Sequence, residues 1–192
     1  MFTQPISLIV GSYVLGALPF SLIVSRIKGI DLRKVGSGNL GATNVYRAMG
    51  FKYALVVFLL DAIKGYIPTH IALNLTDPSM HILVGFMAIV GHSLSPFVKF
   101  KGGKGAATGI GVLMAISPDV CSIVALIAIA MIAIFRYVSL ATILCSLLTP
   151  LLLWGFGYPI EYVTFVGIIS AFIIVRHRPN IQRLLTGQEN KV

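Results

Sequence analysis

The sequence predicts an all-α, polytopic membrane bundle of seven transmembrane helices, with the N-terminus outside and the C-terminus cytoplasmic. Three observations lead there. Of 192 residues, 57% are hydrophobic and 11% charged, and the mean hydropathy is +0.92. A soluble domain carries about 25% charged residues and would have no means of hiding so much apolar surface. The apolar residues also gather into segments near the roughly 20 residues that a helix needs to cross the hydrocarbon core. Finally, every Lys and Arg except Lys64 lies in alternate gaps between these segments, while the gaps between hold only Asp77, Asp119 and Glu161. Basic residues concentrate in cytoplasmic loops, so the alternation sets the expected threading.

The first segment, 5–25, lacks the basic start and short apolar region of a cleaved signal peptide and reads as a retained span. Arg26, Lys28, Arg33, Lys34, Arg47 and Lys52 fill the gap after it. The second segment, 53–73, contains Asp61 and Lys64, three residues apart and so on one helical face. An ionisable group inside a membrane is a functional candidate by default, but two that neutralise each other read as structural. Segment 80–97 ends near His92, Ser93, Ser95 and Pro96, where a packed, hydrogen-bonded histidine is expected. Lys99, Lys101 and Lys104 follow. Segment 105–117 is short, about 20 Å as a helix. Counting it as a span keeps every basic gap on one side. Segments 119–135, 137–154 and 159–175 complete the seven, with Arg136 between two of them and Arg176, Arg178, Arg183 and Lys191 in the tail. Cys121 and Cys145 lie within apolar segments and read as small hydrophobes. One domain over 1–192 is expected, with no internal repeat.

Three basic-side stretches carry chemistry. GSGNLGATNVYR, 36–47, alternates Gly36, Gly38 and Gly41 with Ser37, Asn39, Thr43 and Asn44, and closes on Arg47. Glycines let successive N–H groups turn inward to bind an anion, and arginine adds a planar fork for phosphate or carboxylate. FKGGKGAATG, 100–109, runs Gly102, Gly103, Lys104 and Gly105 into a helix, whose N-terminus offers free N–H donors and a partial positive charge. It is not a Walker A motif, because the required first glycine is absent and Gly105 stands at the Ser/Thr position. RHRPNIQRLLTGQEN, 176–190, places His177 and Asn180 three apart among arginines; histidine binds phosphate or moves a proton near neutral pH. Ser139 and Thr142, on one face after Arg136, are candidates for a pocket floor.

Together the three stretches resemble the bacterial acyl-phosphate-dependent glycerol-3-phosphate acyltransferases, an integral membrane family, over essentially the whole chain. GSGNLGATNVYR with LLDAIKG is similar to that family's first motif, GHSLSPFVKFKGGKGAATGIG to its second and IIVRHRPNIQRLLTGQEN to its third. The resemblance implies transfer of a fatty acyl group from acyl phosphate to the 1-position of sn-glycerol 3-phosphate, giving lysophosphatidic acid and inorganic phosphate for phospholipid synthesis. It implies catalytic roles for Ser37, Arg47, Lys104, His177 and Asn180. Substrate binding falls to Gly38, Asn39, Gly41, Thr43, Asn44, Gly102, Gly103, Gly105, Ser139 and Thr142. Asp61, Lys64 and Glu189 are assigned structural roles. Pro179 departs from the family pattern, removing a possible acid and a backbone donor.

No cofactor and no metal are expected. The expected partners are acyl phosphate, glycerol 3-phosphate and the lipid bilayer, without nucleic acid, for a monomer in the bacterial inner membrane whose site faces the cytoplasm. No HxxxxD pair follows any of the four histidines, which sets aside the unrelated acyltransferases that use acyl-CoA or acyl carrier protein. The alternative reading is a membrane transporter of phosphate or a small organophosphate, which would explain the anion-binding loops but needs access from both faces.

Overall fold

The computed structural model describes residues 3–192, and every regular element among them is a helix. The chain forms two compact units, Met1–Ile116 and Ser117–Val192.

In the first unit, α1 (Thr3–Ala17) and α2 (Phe20–Arg26) share the first apolar segment. The span expected over 5–25 is one apolar stretch, Ile6–Arg26, with a break between its two helices. Pro19 is the cause, because it lacks an N–H and turns the preceding residue away from helical geometry. The break leaves carbonyls outside the helical ladder. Ser95 Oγ donates to the Ala17 carbonyl at 2.6 Å, and Lys64 Nζ donates to that of Leu18 at 3.0 Å.

A 3₁₀ turn, Leu32–Lys34, follows α2 and is capped by the Asp31 carboxylate, which accepts from the Arg33 N–H. Next come α3 (Ala42–Met49) and α4 (Phe51–Leu75). Leu32 and Leu40 are buried with Leu22, Val24, Val45, Ala54 and Val57, so both ends of the glycine-rich loop between them are pinned into a core. Helix α5 (Pro78–Ser93) starts at Asp77, whose side chain accepts from the N–H groups of Ser79 and Met80, with proline at the first helical position. A second 3₁₀ turn, Pro96–Val98, leads towards α6 (Ala106–Ile116), 11 residues long.

Glycines set the helix contacts of this unit. A Cβ on Gly65 would strike the Thr108 carbonyl, and one on Gly111 that of Ala62, so α4 and α6 touch backbone to backbone. Gly16 and Gly91 do the same for α1 and α5 at Ala88 and Tyr13. Lipid tails are as apolar as leucine, so association inside a membrane relies on this close packing.

The second unit holds α7 (Pro118–Phe135), α8 (Val138–Gly155), α9 (Ile160–Arg176) and α10 (Arg178–Leu185). Helix α8 packs on both α7 and α9. Asp119, in the first turn of α7, accepts from Ser117 Oγ at 2.7 Å and Tyr158 OH at 2.6 Å. Helix α10 bends 60° away from α9. Pro179 sits in its first turn, where the missing N–H is one that no helical carbonyl would have received.

Among the described residues, five stretches are long and apolar enough to cross a membrane: Ile6–Arg26, Phe51–Leu75, Pro78–Val98, Pro118–Phe135 and Val138–Gly155. The bent pair of α9 and α10 makes a sixth if the two helices are taken as one span, and α6 is shorter.

One carboxylate clasps the tail after α10. Glu189 is buried and accepts from Asn180 Nδ2 at 2.6 Å, Ser139 Oγ at 2.8 Å and Arg183 Nε at 2.7 Å. Burial alone would raise its pKa; the hydrogen bonds from Asn180, Ser139 and Arg183, with the arginine charge, outweigh that and lower it. A carboxylate with a lowered folded pKa contributes stability that is present above its unfolded value and lost as pH falls through the folded one. Thermal unfolding in detergent is therefore expected to show a Tm that declines below about pH 4.5, the ordinary glutamate value. Glu189→Gln should start lower at neutral pH and decline less; an identical acid profile in that variant would refute the assignment.

Candidate active site

The loop over 36–47 is built around Asn44. Its Oδ1 accepts from the Ser37 N–H at 2.9 Å, and its Nδ2 donates to the carbonyls of Leu32 at 3.1 Å and Val35 at 3.0 Å. Asn44 is buried, so it holds the loop's shape from beneath. Gly36 and Gly38 have φ of +58° and +70°, the left-handed region that glycine enters without steric cost. A Cβ on Gly36 would also occupy the place of Asn44 Oδ1. Ser37 is exposed, Asn39, Gly41 and Thr43 are half-buried beside it, and Arg47 is half-buried in the last turn of α3.

The second loop is shaped by space as well as by torsion. Lys99 and Phe100 both have left-handed φ, +53° and +59°, an uncommon run that turns the chain back on α5. Gly102 N–H donates to the Ser93 carbonyl at 3.1 Å. A Cβ on Gly102 would strike the His92 carbonyl, and one on Gly103 the Nε2 edge of the His92 ring. Gly105, at φ +85°, opens α6, and its carbonyl accepts the first helical bond from Gly109 at 2.7 Å. The N–H groups of 106–108 therefore have no helical carbonyl behind them, and Lys104, half-buried, stands beside them. The two glycine loops meet: a Cβ on Gly103 would lie 2.9 Å from the Leu40 carbonyl.

Beneath them lies a buried polar cluster. Lys64 Nζ is 2.8 Å from Asp61 Oδ1, both side chains are 2% exposed, and His92 Nδ1 lies 3.6 Å from the same oxygen. Leu18, Leu40, Asp61, Lys64, His92, Ser95, Gly102 and Gly103 line a cavity of about 10 Å³, room for roughly one water molecule.

In the second unit, His177 and Asn180 are both buried. His177 Nδ1 lies 2.8 Å from the Ile173 carbonyl. A carbonyl only accepts, so Nδ1 carries the hydrogen and the ring's remaining chemistry rests on Nε2. Asn180 N–H donates to the His177 carbonyl at 2.8 Å, and its side chain is oriented by Glu189. Ser139 joins that same carboxylate, while Thr142 Oγ1 donates to Val138 within its own helix at 2.9 Å. The expected pocket-floor pair is thus engaged in the fold, Ser139 with the tail and Thr142 with α8.

Sequence reasoning read His92 as a packed residue and did not connect it with Asp61 or with the glycine loop. The available signal was its place in GHS, separated by five residues from KFKGGKG. Among the described residues, no group of three His, Cys, Asp or Glu side chains is placed to hold a metal ion.

The glycerol-3-phosphate acyltransferase family profile matches residues 6–187. The chain is 44% identical to the glycerol-3-phosphate acyltransferase of Aquifex aeolicus over 96% of this chain and 97% of the relative. With that of Halalkalibacterium halodurans it shares 44% identity over 96% and 94%. Its fold matches the crystal structure of PlsY (YgiH), an integral membrane glycerol 3-phosphate acyltransferase, in the glycerol 3-phosphate form, with a TM-score of 0.95, 43% identity and coverage of 98% of this chain and 96% of that one. For the lysophosphatidic acid form the values are 0.93, 42%, 98% and 95%. Family, fold and apolar spans agree: the chain is an integral membrane acyltransferase and belongs to the glycerol-3-phosphate acyltransferase family.

Proposed function

We propose that this chain transfers a fatty acyl group from acyl phosphate to the 1-position of sn-glycerol 3-phosphate, releasing lysophosphatidic acid and inorganic phosphate. The observation that carries this is the run Gly102, Gly103, Lys104, Gly105 opening directly into α6. Backbone donors, a helix N-terminus and one lysine together suit a phosphate. The solved relatives in glycerol 3-phosphate and lysophosphatidic acid forms support the acceptor and the product.

In this reading the 102–105 loop and Lys104 hold the acceptor's phosphate. Ser37, Gly38, Asn39, Gly41, Thr43 and Arg47 position the donor's phosphate, and Asn44 acts by keeping that loop in shape. The acceptor hydroxyl attacks the acyl carbon, a carbon–oxygen bond forms, and the bond from that carbon to the phosphate oxygen breaks. Phosphate is a good leaving group and needs little acid help. Its own oxygens lie beside the reacting carbon, so the hydroxyl proton passes to the departing phosphate. His177 and Asn180 then serve as binding groups, with Glu189 and Ser139 orienting Asn180. The donor's apolar tail stays in the bilayer.

In the same reading the site faces the cytoplasm at a bacterial inner membrane, α6 is one of seven crossings, the N-terminus is outside and the chain acts as a monomer; the alternation of basic and acidic gaps supports the threading. Reactive cysteines at Asp77, Asp119 and Glu161, introduced one at a time after Cys121 and Cys145 are replaced, should label from outside. Labelling of Asp119→Cys only from the cytoplasm would show that α6 re-enters instead of crossing.

Purified protein given glycerol 3-phosphate should form lysophosphatidic acid with acyl phosphate and not with acyl-CoA. Turnover confined to acyl-CoA would overturn the donor assignment, and saturable phosphate flux without turnover would point to a carrier. Lys104→Ala removes a charge-assisted contact worth about 1.5–3 kcal/mol, and its effect should appear mainly as a higher acceptor KM. A folded Lys104→Ala enzyme with unchanged acceptor KM would sink the placement of the acceptor.

A further inference from the structure

We propose that His92 and Asp61 are a positioning pair for the 102–105 loop, with Lys64 holding Asp61. The proposal deepens the reading of that loop as the acceptor's phosphate site and rests on it. His92 supports the loop in two ways. Its carbonyl stands where a Gly102 Cβ would go, and the Nε2 edge of its ring stands where a Gly103 Cβ would go. Two consecutive glycines therefore lie against one residue. The other ring nitrogen, Nδ1, faces Asp61 Oδ1 at 3.6 Å. Asp61 is held in turn by Lys64 at 2.8 Å, and Lys64 by the Leu18 carbonyl at 3.0 Å. The imidazole thus has a buried carboxylate behind it, while its opposite edge sets how close the loop's backbone comes to α5.

The cluster also fits an anion site electrostatically. A bare carboxylate behind a phosphate loop would repel the ligand. Here Lys64 offsets the Asp61 charge, and the imidazole separates the carboxylate from the loop. A ring tilted or shortened on either side moves Gly103, and with it the donors that Lys104 and α6 share.

Glutamine at 92 reproduces the reach of Nε2 but cannot also meet Asp61, so it breaks the relay while keeping a polar group of similar size. Steady-state kinetics of His92→Gln, varying each substrate in turn, should show an acceptor KM raised about tenfold or more. The donor KM should stay near wild type, and so should the unfolding temperature. The double variant Asp61→Asn, Lys64→Gln removes both buried charges and avoids stranding one of them. It should raise the same KM, and combining it with His92→Gln should give little further effect, as expected of groups acting as one unit. The double variant carries the test alone if His92→Gln does not fold. An unchanged acceptor KM in these variants, or equal loss for both substrates together with a lowered unfolding temperature, overturns the proposal. Lys104→Ala is run in parallel. If it raises the acceptor KM and the buried-cluster variants do not, only the positioning role falls; if it has no effect either, the phosphate-site reading falls with it.

Discussion

A carboxylate enclosed in an apolar bundle has to be neutralised where it stands, and much of the first unit follows from how Asp61 meets that demand. Removing an ion from water costs several kcal/mol even after relaxation, and a pair recovers this only with good geometry and satisfied remaining donors. Lys64 lies one turn along α4 with its ammonium 2.8 Å from the carboxylate, close enough for the two charges to offset each other. Its own further donor goes to the Leu18 carbonyl. That carbonyl is outside the ladder because Pro19 interrupts the helix. The kink and the lysine thus resolve each other's deficits. Ser95 treats the neighbouring Ala17 carbonyl in the same way. These contacts join the break between α1 and α2 to α4 and to the segment that follows α5.

The glycines show how one residue type meets different constraints within one site. Gly38 and Gly105 occupy left-handed torsions that a side chain would strain. Gly102 and Gly103 are needed because His92 and Leu40 leave no room for a Cβ. Gly65 and Gly111 let α4 and α6 touch along their backbones. Sequence reasoning treated the cluster at 102–105 as a set of anion-binding turns. The structure adds that two of its members are sterically fixed from below, so the loop is also a packed layer.

Features carried by local period were legible in the sequence. The three-residue spacing of Asp61 and Lys64 placed them on one face, and the pair is there. Gly105 before an apolar run marked the start of α6. The spans over 53–73, 119–135 and 137–154 correspond to α4, α7 and α8 within a few residues. Partnerships between distant residues were not legible. His92 and Asp61 come from different helices, and Ser139 meets Glu189 fifty residues on. Asn44 stood among glycines and hydroxyls that suit a ligand, but its side chain points into the loop's own backbone. Composition indicates that a polar residue is present, and only the fold shows which way it faces. Pro19 is the instructive case in the other direction: the signal for the break stood in plain view within an otherwise continuous apolar run.

Acyl transfer between two phosphorylated molecules asks a site to hold two anions close together, and their mutual repulsion is strongest where water is scarce. On the proposed reading, the first unit answers with two different constructions that meet at Leu40 and Gly103. One loop is shaped by a buried asparagine and two buried leucines, leaving Ser37 outward. The other is shaped by steric contact with α5 and delivers its donors through the start of a helix. In both, Arg47 and Lys104 contribute positive charge as side chains. A lone carboxylate beneath the second loop would oppose those cations. The pairing of Asp61 with Lys64 removes that opposition, so the contact that lets a charged residue exist inside the bundle also keeps the field at the loop favourable to phosphate.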